Sequence, residues 1–249
     1  LMKKIFSFAI ACMATFGSVQ AQNVQLHYDL GHNLSDDLSN RPAVTTTVEM
    51  FKPDKWGSTF LFTDIDYKND GAVGAYWEIA REFSVTKNKH WAAHIEYNGG
   101  AATGELATGY YGNRFQHAAL LGGAWNWANK DFSKTFSVQL MYKYYFKNKT
   151  TGEHPFSGFQ LTEVWGLSFA KGLCSFNGFC DLWYTNVSGK LILISEPQFW
   201  FNLNTLKGMQ GINLSLGSEV EISNNFVWSN KGKHNKFYAI PTIAAKWTF

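Results

Sequence analysis

Alternation with a period of two runs through almost the whole chain, and few folds can accept it. Twelve segments carry it: 23–30, 43–51, 57–67, 73–83, 90–97, 114–127, 135–147, 158–170, 178–186, 191–203, 212–223 and 237–249. Such a period places successive side chains on opposite faces of an extended strand. In "TFSVQLMYKYYFK" one face is Phe136, Val138, Leu140, Tyr142, Tyr144 and Phe146, and the other is Ser137, Gln139, Met141, Lys143, Tyr145 and Lys147. The segment count is even, and many segments reach the length a tilted strand needs to cross a bilayer. The links at 31–42, 98–113, 148–157 and 224–236 fall at one end, and the shorter ones at 52–56, 84–89, 128–134, 171–177 and 204–211 at the other. Two outer links, 68–72 and 187–190, are short, so the asymmetry of long outer loops and short inner turns expected of an outer-membrane barrel holds on average.

A soluble barrel also alternates, with its apolar face inward. Three features favour the opposite sense here. Trp91, Tyr97, Trp125, Trp127, Tyr142 and Trp247 lie near strand ends, where interfacial girdles belong, and this accounts for an aromatic content of 17%. The opposite phase is crowded with charge: Glu49, Asp64, Asp66, Glu78, Glu96, Lys143, Glu196, Glu219, Glu221 and Lys246. Twelve strands also enclose more space than side chains alone fill easily. The expected fold is therefore all-β, a twelve-stranded antiparallel transmembrane β-barrel of outer-membrane type. One segment fits poorly: the phase that sends Trp165, Leu167 and Phe169 to lipid sends Glu163 there too, so a bulge is expected near Thr162.

The two ends agree with export. "MKKIFSFAIACMATFGSVQAQ" has a basic start, an apolar run too short to span a bilayer and small residues before Gln22. It reads as a signal peptide over 1–21, leaving a single barrel domain over 22–249. Two of the cations behind the net charge of +3 are Lys3 and Lys4, and no basic stripe of the nucleic-acid-binding kind remains. In "AIPTIAAKWTF" the outward phase runs through Ile243, Ala245 and Trp247 to Phe249. A last strand that must pair with the first cannot fray without opening an edge in lipid. A terminal aromatic on such a strand is similar to the recognition strand read by the barrel-assembly machinery.

Between 44 and 84 the chain resembles a known family. In "TVEMFKPDKWGSTFLFTDIDY", Glu49, Phe51, Trp56 and Asp64 match a strand–turn–strand pattern; in "YWEIAREFSV", Glu78, Ile79, Phe83 and Ser84 match a second. Both patterns resemble those of the nucleoside-specific channel-forming outer-membrane porins (Tsx) and their relatives. Two departures occur: Lys55 stands where that family has an acid, with Asp54 one place earlier, and its Arg is displaced to Arg81. The resemblance implies a channel in the outer membrane of a Gram-negative bacterium, passing small amphipathic solutes, nucleosides first. It implies no cofactor and no catalysis; the expected surroundings are lipid and solute, and the expected state is a monomer.

The residues allow that reading. A nucleoside joins a flat base to a hydroxylated sugar, so aromatics can stack it and acids can accept its hydroxyl protons. The candidate substrate-binding residues are Glu49, Phe60, Phe62, Asp64, Asp66, Glu78, Glu96, Arg114, Lys143, Trp183, Trp200, Glu219 and Glu221, with Arg114, Lys143 and Lys246 as bases beside the acids. The same charges also suit a network that merely fills the interior, giving a structural or adhesion barrel with a blocked lumen. An outer-membrane lipid hydrolase would need a Ser within reach of a His; no Ser flanks His117, His94 or His27 at strand spacing. His94 with Glu96 and His27 with Asp29 arise from alternation alone and lack the clustering of a metal site. In "CSFNGFC" a three-residue loop would set Cys174 opposite Cys180, whereas an Asn177-Gly178 turn would set Asp181 there; both registers stay open.

Overall fold

The protein is described here by a computed structural model covering residues 22–69, 71–106, 109–185, 190–227 and 236–249, with the side chains of 104–114, 185 and 190 outside that description. The signal-peptide reading over 1–21 lies outside the described residues. Among the described residues fourteen strands form: β1 (Gln22–Asp29), β2 (Val44–Pro53), β3 (Gly57–Lys68), β4 (Gly71–Ser84), β5 (Trp91–Leu106), β6 (Gly109–Arg114), β7 (Ala118–Ala128), β8 (Lys134–Tyr145), β9 (Phe156–Phe169), β10 (Cys174–Thr185), β11 (Lys190–Ser195), β12 (Gln198–Asn202), β13 (Leu214–Asn224) and β14 (Phe237–Thr248). All neighbours are antiparallel, and β14 pairs back onto β1, so the sheet closes. β6 and β7 both lie along β5, while β11 and β12 both lie between β10 and β13. Each pair is one interrupted stave, which makes the barrel twelve-stranded.

The two interruptions have different causes. Across Glu196-Pro197 the register is unchanged, Cys180 opposing Ser195 and Asn177 opposing Gln198. Proline has no N–H to give the ladder, so the strand is broken only in hydrogen bonding. Gly178 faces this point; a Cβ there would lie 2.4 Å from the Glu196 carbonyl and 2.9 Å from Pro197 Cα. Its glycine serves close approach, not a turn. Between β6 and β7 the register does slip: Ala101 opposes Arg114 but Asn98 opposes Ala118, so one extra residue is accommodated near Gln116 and His117.

Burial is inverted relative to a soluble protein. Gln25, His27, His94, Gln160 and Ser223 are buried, while Leu121 (61%), Leu140 (62%), Phe159 (65%) and Ile243 (63%) are exposed. Along β8 the reversal occurs residue by residue: Leu140 is outside and Met141, at 0% exposure, is inside. The proposed girdle residues Trp91, Tyr97, Trp127, Tyr142 and Trp247 all stand on the exposed face. Pairing of β14 runs to Thr248 opposite Asn23, and the Phe249 amide donates to Gln22. The chain end is thus held by the closure of the barrel.

Four expectations are corrected. No bulge lies near Thr162: β9 keeps one register against β8 and β10 throughout, and Glu163 faces outward between Val138 and Cys180. The irregularity falls instead at Asp66 and Tyr67. The stretch 171–177 is not a turn, because the reversal is made at Ala170, Lys171 and Gly172 with φ of 51°, 59° and 86°. Cys174 and Cys180 therefore sit six residues apart on one strand, both unpaired, and a strand rising ~3.3 Å per residue cannot bring them together. Finally, 98–113 is largely strand, since β5 and β6 continue as a hairpin.

The two departures from the porin pattern meet in space. Arg81 Nη1 lies 2.8 Å from Asp54 Oδ2, and the Asp54 carboxylate also accepts from the Trp56 and Gly57 amides at 2.8 and 2.9 Å. The Arg81 hydrogen bond above all, with those amides, lowers the Asp54 carboxyl to about 2 in this turn outside the spanning strands. A depressed carboxyl stabilises the folded turn above its unfolded value of about 3.9, and that contribution disappears as pH falls through about 2. Carboxyl-carbon NMR of the folded barrel is expected to place the Asp54 midpoint near 2, moving upward in Arg81→Ala. A wild-type midpoint near 4 would contradict the pairing.

Candidate functional site

The inward phase of successive strands builds one continuous polar interior. On the β1–β2–β3 wall, Thr45 donates to Asp66 and Thr47 to Asp64, while Asn23 donates to Glu49 at 3.1 Å. Next to it, Gln25 donates to Asn23 at 2.9 Å, and His27 lies 2.9 Å from Gln25 and 3.2 Å from the Thr242 hydroxyl. Gln198 joins this group by donating to Glu219 at 2.6 Å and accepting from Trp200 Nε1 and Asn177. Lys246 Nζ sits 4.2 Å from the centre of the Trp200 ring.

A second network crosses β4, β5, β7, β8, β9 and β10. Glu78 accepts from Tyr76 at 2.6 Å and Asn98 at 3.1 Å. His94 bridges Glu96 at 3.0 Å and Glu82 at 3.4 Å, and Asn126 donates to Glu82 at 2.7 Å. Lys143 donates to Gln160 at 2.6 Å, with its ammonium about midway between the Tyr145 and Trp183 rings at 5.2 and 4.9 Å. Gln160 and Thr162 both donate to Asp181. Beside this lies a small apolar patch of Ala118, Leu120 and Met141, with Tyr145 against it.

The third feature is at the outer mouth. The β1–β2 connection forms a short helix, α1 (Gly31–Leu34), then a 3-10 turn (Asp36–Leu38). Leu38 is buried against Val227, Tyr238 and Ile240. Arg41 then reaches the inward carboxylates of Asp29 at 2.9 Å and Glu221 at 2.8 Å. Gly31 permits the fold-over, because a Cβ there would lie 2.6 Å from Ile240 Cγ2. The connection thus lies against the inner wall, latched by one arginine.

Of the residues singled out in the sequence, Glu49, Phe60, Phe62, Asp64, Asp66, Glu78, Glu96, Lys143, Trp183, Trp200, Glu219 and Glu221 all occupy the inward phase. They do not form one pocket. Glu49, Asp64 and Glu219 belong to the first network, Glu78, Glu96, Lys143 and Trp183 to the second, and Glu221 to the mouth. Arg114 was also singled out, and its side chain lies outside the described residues. Arg41, Glu82, His94 and Asp181 were not singled out as binding residues. Glu82 and Asp181 share the inward phase of Glu78 and Trp183, so alternation was signal enough; nothing in a period of two points to Arg41, which is in a loop.

Aromatic rings also line the wall. Phe60 and Phe62 have centroids 5.9 Å apart, Phe62 and Tyr76 likewise 5.9 Å, and Tyr76 and Phe115 6.4 Å. These four rings make a ladder across β3 and β4 to the β6–β7 break, with Asp64 and Glu78 between its rungs in the strand register.

Comparison with solved structures returns two proteins described as porins and one described as an outer-membrane channel. The NanC porin superposes with a TM-score of 0.56 at 9% identity, covering 92% of this chain and 100% of its own. The KdgM porin gives 0.48 at 12%, covering 92% and 98%, and the outer-membrane channel DcaP of Acinetobacter baumannii 0.39 at 9%, covering 84% and 65%. The NanC likeness supports the barrel fold alone. No curated protein matches the chain in sequence. The profile of the family described as "Domain of unknown function (DUF5020)" matches residues 21–249, and the chain belongs to that family.

Proposed function

We propose that the protein is an outer-membrane channel that lets small amphipathic solutes diffuse through its lumen, nucleosides first. The observation that carries this reading is the ladder of Phe60, Phe62, Tyr76 and Phe115 beside Asp64 and Glu78. A flat base can pass from ring to ring while carboxylates and Tyr76 exchange hydrogen bonds with the sugar. Stacking of about 1–3 kcal/mol per base is weak enough for release, as conduction requires. The exposed apolar exterior and the likeness to porin barrels support a bilayer setting. The resemblance over 44–84 supports the solute class. On this reading the chain is exported by its N-terminal segment, inserted by the barrel-assembly machinery and works as a monomer.

A second reading has an observation of its own. Trp200, Met141, Gln25 and Ser223 are fully buried within the interior phase, as they would be in a barrel whose lumen is a plug. Single-channel recording separates the two. The channel reading expects stepwise currents that nucleosides reduce in a dose-dependent way, with Phe62→Ala weakening that block by about ten-fold. Currents indifferent to nucleosides would refute the solute assignment, and a silent folded barrel would favour the plug.

A further inference from the structure

The chain has more Lys and Arg (22) than Asp and Glu (19), yet its interior is acidic. Alternation sends the acids of β2, β3, β4, β5, β10 and β13 inward, while the described permanent cations of the interior are Arg41, Lys143 and Lys246. Each of those three is already engaged. Arg41 bridges Asp29 and Glu221, Lys246 stacks on Trp200, and Lys143 donates to Gln160 between two rings. Charge of one sign along a low-dielectric passage focuses the field and concentrates counter-ions within it.

A second, independent observation fixes a place. Glu96 is 7% exposed at its side chain and Asn98 4% exposed, and both project inward from β5. Glu96 Oε1 and Asn98 Oδ1 are buried acceptors with no hydrogen-bond donor. The Asn98 amide cannot simply be turned over, because its Nδ2 donates to Glu78. Two orphan acceptors, one of them a carboxylate and both beside a second carboxylate, call for a donor or ion of positive charge. Among the described residues no group of three or more His, Cys, Asp or Glu is placed to hold a metal ion, so a tightly coordinated divalent ion does not fit.

We propose that the lumen selects cations, and that Glu96 and Asn98, backed by Glu78, form a station for a monovalent cation, either an alkali ion or a primary ammonium group. This rests on the channel reading above and adds the sign of charge that the passage favours. Neutral solutes still pass, while anions meet a wall whose inward acids outnumber its bases, Arg41, Lys143 and Lys246.

The test is single-channel recording of the refolded full-length barrel in a KCl gradient. Wild type is expected to pass K⁺ over Cl⁻ by about five-fold or more, and Glu96→Gln to reduce that ratio by about two-fold. Should Glu96→Gln fail to fold, Asp181→Asn, which removes a neighbouring inward carboxylate, is expected to shift the ratio the same way. Adding methylammonium distinguishes the two sources: slowed K⁺ current marks an ammonium station, and an unchanged current marks an alkali-ion station. A ratio at or below one in wild type, or one unmoved by either substitution, overturns the proposal while the channel reading stands. An absence of any current overturns the channel reading and this proposal with it.

Discussion

Leu140→Arg is expected to destabilise the folded barrel in a phospholipid bilayer by about 2–4 kcal/mol, measured by reversible urea unfolding in vesicles. Leu140 lies in the middle of β8, 62% exposed, between Gly123 and Leu161 across the two ladders. In a soluble protein an arginine on so exposed a position would change stability by ~0.5 kcal/mol at most. Here the same exposure means contact with hydrocarbon, where a guanidinium loses its hydration and finds no acceptor. The sign of the effect thus reports what lies outside the barrel. A substitution without measurable cost would mean that this face meets water.

Arg41→Ala is expected to raise single-channel conductance by about two-fold and to make the 31–42 connection sensitive to added protease. Arg41 holds that connection against the inner wall through two carboxylates, and its side chain is 24% exposed against 9% for Asp29 and 12% for Glu221. Removing the shared cation leaves two poorly hydrated acids facing each other across the mouth. The expected loss of stability is ~1–3 kcal/mol, below the ~3–5 kcal/mol of a fully buried pair because solvent reaches this one. Repulsion then favours release of the latch, while Leu38 keeps its contact with Tyr238 and Ile240 as a weaker hold. Arg41→Lys keeps the charge but lacks the planar fork that serves both acids, so an intermediate conductance is expected. Unchanged conductance in Arg41→Ala would show that the connection does not limit the passage.

The strands were legible in the sequence because a wall between lipid and water imposes contrast on every second residue. Leu140 beside Met141 in β8, or Leu216 opposite in phase to Ser215 in β13, cannot be placed any other way round. Closure by the last strand was legible for the same reason. Contrast fails where side chains are small. The run Asn98–Gly99–Gly100–Ala101–Ala102 alternates too weakly to be told from a loop, although it extends β5. Turn chemistry also misled, since Asn177-Gly178 resembles a turn and is strand, whereas Ala170 and Lys171 adopt positive φ that neither residue favours. The slip at Gln116–His117 falls inside a segment, 114–127, that alternation read as one continuous strand.

The candidate site divided along the same line. Acids and aromatics on regular strands were found because phase alone sends them inward. Asp54 and Arg81 appeared in the sequence as two separate departures, and only the β2–β3 turn reveals them as one ion pair. Arg41 was invisible to periodicity, because a loop residue has no phase.

The central claim is that the oily phase of each strand meets lipid and the wet phase meets the lumen. Single cysteines placed in turn at 138 to 143, with Cys12, Cys174 and Cys180 replaced by serine, carry an environment-sensitive fluorophore that brominated lipid and aqueous iodide quench selectively. The account predicts strict alternation: lipid quenching at Val138, Leu140 and Tyr142, and iodide quenching or full protection at Gln139, Met141 and Lys143. Lipid quenching in the second set with iodide quenching in the first, or no alternation at all, would contradict it.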